Sequence, residues 1–152
     1  MATVTTFVDG TQTTNHIGTK MVYAENKLDF SATNVSSADV VQALKIPKGA
    51  IPLMVDVKMV TAEGATATAT VGDGTDPNGY DNDINLNTTG RVCFPTRGTD
   101  AYANATSDAE PGLIREPYSA DDTIDIVPGA DLDTAVLVIS CVYAISDTVS
   151  KA

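Results

Sequence analysis

Alternation of apolar and polar residues is the main pattern in this chain, and it begins near Lys20. The clearest example runs from about Leu53 to Val71, where apolar residues take every second position on either side of a glycine. Such period-two alternation is typical of β-strands that have one buried face. We therefore predict one long β-hairpin over these residues, around which the rest of the chain is organised.

The length of the hairpin turn follows from register, because a shift of one residue moves every side chain to the opposite face. A two-residue turn at Glu63–Gly64 would mix polar and apolar residues on both faces. A three-residue turn, Ala62–Gly64, places Met59 opposite Ala67 and separates the two classes. This register predicts positive φ at Gly64, as in a type I turn followed by a bulge. The remaining predicted pairs are Val57 with Ala69 and Val55 with Val71.

The same signal predicts further strands. The candidates are Met21–Tyr23, Lys27–Phe30, Asp39–Ile46, Leu113–Arg115, Thr123–Val127 and Thr134–Ile145. Asp39–Ile46 could form a helix or a strand, and its short length before the turn residues Pro47 to Gly49 favours a strand. Thr134–Ile145 is apolar on both faces. We therefore predict a central strand, covered on one side by the core and on the other by an insertion or a subunit.

Turn-rich segments separate these strands. Gly72 to Asn87 is rich in loop-forming residues, and residues 90–112 form an irregular insertion with little periodicity. Residues 1–19 are Thr-rich and form either an extended arm or a disordered tail. About eight short strands with no amphipathic helix predict an all-β, single-domain β-sandwich of the jelly-roll kind over residues 20–152, with an extended N-terminal arm at 1–19.

Composition and charge restrict the partners. The chain has 152 residues, 43% of them apolar and 5% aromatic, so its core is aliphatic. Its net charge is −11, which disfavours nucleic acid and anionic membranes as partners. Residues 1–50 are neutral, and the acidic excess follows them, which predicts one face for contact and one for water. The N-terminus lacks the basic and apolar regions of a signal peptide, and no apolar stretch is long enough to span a bilayer.

One acidic cluster could bind a hard cation such as Ca²⁺ through oxygen ligands. Its members are Asp73, Asp76, Asn78, Asp81 and Asp83. The spacing matches an EF-hand loop only in part, because no glutamate stands at the closing position and no flanking helices are predicted. The competing interpretation is a set of Asx turns in a solvent-facing loop.

Other reactive residues do not form a recognisable catalytic motif. His16 is the single histidine, so it cannot take part in a triad or a histidine-based metal site. Asp121 and Asp122 could do acid–base work, but they also suit the polar end of a strand. Cys93 and Cys141 lack metal-binding spacing, and we expect two buried thiols rather than a disulfide. We therefore expect no enzyme activity and no cofactor.

Two stretches, ALKIPKGAIPLMVDVKMVTAEGATATATVGDGTDPNGY and DDTIDIVPGADLDTAVLVISCVYAI, resemble the head decoration (cement) proteins of tailed bacteriophages. The similarity covers roughly residues 40–145 without the irregular stretch near 91–112. The resemblance implies a jelly-roll homotrimer, made in the host cytoplasm, that binds the outer surface of the capsid and bridges major capsid proteins. The family has no site motif, so no catalytic or cofactor-binding residue is carried over.

Two other functions are compatible with a small all-β chain. A receptor- or carbohydrate-binding jelly roll, such as a fibre or spike component, should expose clustered aromatic residues, for which Tyr80, Tyr102 and Tyr118 are the candidates. A trimeric dUTPase is also small and all-β, but its phosphate-binding motif and glycine-rich C-terminal arm have no counterpart in this sequence.

Overall fold

The computed structural model describes residues 19–64, 66–93 and 117–146 of the chain. These residues form eight strands and no helix, so none of them provides a helix able to cross a membrane. The strands are β1 (Thr19–Asp29), β2 (Val41–Ile46), β3 (Ala50–Thr61), β4 (Thr68–Asp73), β5 (Asp81–Asn85), β6 (Gly90–Cys93), β7 (Asp122–Pro128) and β8 (Val136–Ser146).

The strands form two four-stranded antiparallel sheets. One has the order β1-β8-β3-β6 and the other has the order β2-β7-β4-β5. Successive strands repeatedly cross from one sheet to the other, so the two sheets form a β-sandwich. The predicted all-β sandwich is therefore confirmed.

An aliphatic core lies between the two sheets. From β8 it takes the alternate residues Leu137, Ile139 and Cys141, all fully buried. The opposite sheet contributes Ile124 and Ile126 from β7. Period-two burial follows from the pleat, which points successive side chains to opposite faces of a sheet.

The predicted Leu53–Val71 hairpin is wrong. β3 pairs with β8 and β6, while β4 pairs with β7 and β5, so the two segments lie in different sheets. Their apolar faces were assigned correctly, because Val57 and Ala69 are both buried in the same core. Alternation identifies the buried face of a strand, but it does not identify the strand beside it.

The segment predicted as a hairpin turn is instead a crossover between the sheets. Gly64 has a φ of 125°, so the predicted positive value is confirmed, although the turn type is not. The backbone N–H of Glu63 donates to the carbonyl oxygen of Leu86 at 2.9 Å, which fixes the start of the crossover.

Several other strand predictions can be compared with the structure. The two candidates near the N-terminus are one continuous strand, β1, and Asp39–Ile46 contains strand β2, as favoured. Strands β5 and β6 lie where a loop and the irregular insertion were expected. β8 is central, between β1 and β3, as predicted. Leu113–Arg115, residues 1–18 of the arm and residues 94–116 lie outside the described residues.

Candidate functional site on the outer face of one sheet

The sheet β1-β8-β3-β6 has an outer face, directed away from the core, on which residues align in rows. Each row joins one residue from β1, its partner on β8 and the next partner on β3. There are five such rows, and together with Arg91 on β6 they make up the surface that we call the outer face. The rows are Met21/Ala144/Ile51, Tyr23/Val142/Met54, Glu25/Ser140/Asp56, Lys27/Val138/Lys58 and Asp29/Val136/Thr61.

The rows differ in chemistry. The first two are apolar apart from one phenol hydroxyl, the third is acidic, and the fourth is basic at both ends. Met21 is 64% exposed and Tyr23 is 60% exposed, whereas Ile51, Met54 and Val142 are half-buried. The sequence predicted that an insertion or a subunit covers the side of β8 that faces away from the core. Among the described residues, this side is only partly covered, because Val142 is half-buried.

Polar contacts hold the acidic row in place. Arg91 on β6 places its Nε 2.8 Å from Asp56 Oδ1, and this carboxylate is almost completely buried. The opposite charges at this distance form an ion pair. It is not also a hydrogen bond, because Asp56 Oδ1 has no well-aligned donor among the described residues. The Tyr23 hydroxyl donates to the Glu25 carboxylate, and this hydrogen bond raises the pKa of Tyr23 above its usual value.

The outer face is electrically neutral, whereas the rest of the described surface is acidic. Its acidic members are Glu25, Asp29 and Asp56, and its basic members are Lys27, Lys58 and Arg91. The other described residues include eleven acidic side chains but only three basic ones, Lys20, Lys45 and Lys48. The sequence predicted a neutral contact face within residues 1–50. The structure builds this neutral face from β1 together with three strands that lie mostly or wholly beyond residue 50.

The acidic cluster proposed as a cation site folds as a set of side-chain-to-backbone hydrogen bonds. Asp73 Oδ1 accepts from the backbone N–H groups of Thr75 at 2.9 Å and Asp76 at 2.8 Å. Asp81 Oδ1 accepts from the backbone N–H of Asp83 at 3.1 Å. These are the Asx-type contacts of the competing interpretation.

Burial also separates the members of this cluster. Asp73 and Asp81 are buried rather than solvent-facing, Asp76 is half-buried, and Asn78 and Asp83 are exposed. Burial raises the pKa of Asp81. Within residues 19–64, 66–93 and 117–146, no group of three or more His, Cys, Asp or Glu side chains is placed to hold a metal ion.

Tyr118 forms a buried network that the sequence did not reveal. Its hydroxyl donates to Asp73 Oδ2 at 2.7 Å and lies 2.9 Å from the hydroxyl of Tyr80. Its backbone N–H donates to the Ala50 carbonyl oxygen at 3.0 Å, and its own carbonyl accepts from Gly49 at 2.8 Å. Burial raises the pKa of Tyr118. The network joins β3 to the end of β4 across distant parts of the sequence.

This network also bears on the receptor-binding alternative, which needs exposed aromatic residues. Tyr80 is 4% exposed and Tyr118 is half-buried, so neither offers an open stacking surface. Tyr102 and His16 lie outside the described residues.

The paired carboxylates at the start of β7 bond to backbone groups. Asp121 Oδ1 accepts from the backbone N–H of Lys48, and Asp122 Oδ1 accepts from that of Thr123, both at 2.8 Å. They line an open groove beside β2, together with Gln42 and Lys45. Their contacts fit the polar end of a strand.

Both cysteines are free and buried. Burial raises the pKa of Cys141 to about 12 and raises the pKa of Cys93 as well. The thiolate is the reactive form of cysteine, so these side chains act as small apolar core residues.

Comparison with solved structures places the fold among proteins of phage capsids. A chain of the Cyanophage Pam1 capsid asymmetric unit is 18% identical, with a TM-score of 0.55, over 84% of this chain and 84% of that chain. A chain of the capsid of Ralstonia phage GP4 is 11% identical, with a TM-score of 0.57, over 84% of this chain and 85% of that chain. At these identities, the likeness establishes a shared fold. No protein-family model and no curated protein sequence matches the chain.

Proposed function

We propose that this protein is a structural component of a phage virion, and more specifically a decoration protein that binds the outer surface of the capsid. The observation that carries this proposal is the shared fold with chains from two phage capsid structures. Those chains are about as long as this one, because the alignment covers nearly equal shares of both partners. The likeness therefore extends over most of both chains and is not confined to one part of a much larger chain.

The distribution of charge supports a role in surface binding. A chain with a net charge of −11 is repelled by phosphate-rich surfaces, so packaged DNA is not the proposed partner. The partners are neighbouring major capsid proteins, which the bound protein bridges. The acidic faces then remain in water, where they favour solubility.

The proposed mechanism is mass action, with no catalytic step and no cofactor. A protein that binds the assembled lattice but not the separated subunits stabilises the lattice by its binding free energy. The family resemblance adds a homotrimer to this proposal. The copy number can be measured by light scattering, independently of capsid binding.

A reconstitution experiment tests the function. Purified protein is mixed with capsids that lack it, and binding is measured by co-sedimentation while capsid strength is measured by heat-induced release of DNA. We expect saturable binding and a higher release temperature. Capsids that already carry the protein are the control and should bind little more. A chain that neither co-sediments with capsids nor raises their release temperature is not a decoration protein.

A further inference from the structure

The longest open sheet edge in the described part of the chain belongs to β1. This strand pairs with β8 without interruption over eleven residues, and no other described strand pairs with it. The other edge strands, β2, β5 and β6, have only four to six residues, and the register of each with its neighbour is interrupted. Short strands and bulges protect sheet edges from further pairing. β1 has neither form of protection.

The register shows which backbone groups of β1 point to this open edge. Phe30 continues the pairing of β1, and its N–H donates to the carbonyl oxygen of Ala135 at 2.9 Å. In an antiparallel pair, successive residues direct their N–H and C=O groups alternately toward the partner strand and away from it. The even-numbered residues of β1 therefore bond to β8, and the odd-numbered ones point to the open edge. Asp29 agrees, since its carbonyl oxygen accepts from the N–H of Ala32 in the following turn.

The same odd-numbered residues include the most exposed large apolar side chains among the described residues. Met21 is 64% exposed and Tyr23 is 60% exposed. A strand added beside β1 would cover them, because side chains of paired residues lie about 5 Å apart. The nearby strand β2 does not cover this edge. It meets β1 where the Asn26 amide donates to the Ala43 carbonyl oxygen at 2.9 Å, and Asn26 is itself exposed.

We propose that β1 is the docking edge for an extended segment of the major capsid protein, which adds to the sheet as a fifth strand. This inference rests on the proposed function and names the part of the protein that performs it. Strand addition gains affinity from main-chain hydrogen bonds and specificity from alternate side chains. The incoming strand places apolar residues opposite Met21 and Tyr23. It places a basic residue opposite Glu25 and an acidic residue opposite Lys27.

A second copy of β1 does not have this pattern. Full-length antiparallel pairing of two β1 strands places Met21 opposite Lys27. Tyr23 then lies opposite Glu25, so each exposed apolar side chain has a charged partner. A pairing that brings Met21 opposite Tyr23 uses only residues 19–25 of each strand and leaves Lys27 outside. It also brings together two chains with a net charge of −11, which repel each other.

Two substitutions at one residue separate the backbone contribution from that of the side chain. Glu25→Ala removes the carboxylate and keeps the N–H, whereas Glu25→Pro also removes the N–H that points to the open edge. Proline is tolerated at such edge positions. Binding to capsids that lack the protein is measured by co-sedimentation over a range of concentrations, and folding is checked by circular dichroism. We expect Glu25→Pro to bind roughly tenfold more weakly than Glu25→Ala, or weaker still.

Hydrogen–deuterium exchange tests the same edge in the wild-type protein. In the free protein, the odd-numbered amides of β1 should exchange quickly and the even-numbered ones slowly. Binding to capsids that lack the protein should slow exchange of the odd-numbered amides by roughly tenfold or more. The amides of β5 are the control and should not change, because β5 lies at the far edge of the other sheet. This measurement needs no substitution, so it decides the question even if Glu25→Pro does not fold.

The outcomes distinguish this inference from the proposed function. Wild-type protein that does not co-sediment with capsids refutes the proposed function and, with it, the capsid partner. Capsid binding that leaves the β1 amides unprotected, or that is equally strong for Glu25→Pro and Glu25→Ala, overturns the docking edge alone. Protection of the odd-numbered amides in solution, at concentrations where light scattering shows a doubled mass, would assign the edge to a second copy and overturn the capsid partner.

Discussion

The carboxylate of Glu63 accepts a 2.6 Å hydrogen bond from the backbone N–H of Ala135, a residue 72 positions further along the chain. The same carboxylate accepts from the backbone N–H groups of Asp133 at 3.0 Å and Thr134 at 3.1 Å. Glu63 lies in the crossover between β3 and β4, and Ala135 directly precedes β8. One side chain therefore ties the crossover to the turn that leads into the central strand.

We expect Glu63→Ala to destabilise the fold by about 1–3 kcal/mol, because three backbone N–H groups lose a charged acceptor. The free energy of unfolding in urea is the measurement. Asp83→Asn is the matched control, since Asp83 is exposed and should change stability by less than about 0.5 kcal/mol. Equal effects of the two substitutions would show that the Glu63 contacts contribute nothing specific.

The buried carboxyl group of Asp125 makes the stability of the fold depend on pH. Burial raises its pKa in the folded state, as do the negative charges of Asp122 and Asp73, while a hydrogen bond from Thr123 opposes the rise. Because the folded pKa is above the unfolded one, this group favours folding when protonated. Its contribution is greatest below the unfolded pKa and is lost as the pH rises through the folded pKa.

We therefore expect Asp125→Asn to be more stable than the wild type near neutral pH, because the amide keeps an acceptor for Thr123 without the buried charge. The advantage should shrink as the pH falls and the wild-type carboxyl becomes protonated. Thermal unfolding of both proteins at several pH values is the measurement. An advantage that stays constant from neutral to acidic pH would contradict this explanation.

Tyr118→Phe should destabilise the fold by about 1–3 kcal/mol, because buried Asp73 loses a hydrogen-bond donor. Tyr23→Phe is the control, since it removes a hydroxyl of the same kind from a side chain that is 60% exposed. Its effect should stay below about 0.5 kcal/mol. Urea unfolding of dilute samples compares the two, and a loss no greater for Tyr118→Phe than for Tyr23→Phe would refute the role of the network.

Gly72→Ala should destabilise the fold by about 2 kcal/mol or more, because the added methyl group has no room. A Cβ at this position would lie 2.1 Å from the Asp76 carbonyl oxygen, a backbone atom that cannot move without shifting the loop. Gly74→Ala is the matched control, since its nearest contact is the Asp122 carboxylate at 3.1 Å, part of a side chain that can adjust. Comparable melting temperatures for the two variants would show that the loop accommodates a side chain at residue 72.

The candidate surface could be predicted from the sequence only in part. The neutral first third of the chain indicated a contact face. The apolar residues on both faces of β8 indicated that an insertion or a subunit covers the face directed away from the core. The rows themselves could not be predicted, because Glu25 and Asp56 become neighbours only through β8, which lies between their strands. Register between distant strands is a property of the folded chain.

The sequence by itself determined which residues form most of the strands and, for β3 and β4, which face is buried. Val57 and Ala69 were assigned to the core by alternation, because the pleat is a local property with a period of two. The positive φ predicted for Gly64 is also present, although the hairpin register from which it was predicted is not. Only the tertiary structure decided that β3 and β4 belong to opposite sheets, since strand pairing depends on hydrogen bonds between segments far apart in the chain. The same long-range contacts placed Glu63 beside Ala135 and assembled the outer face.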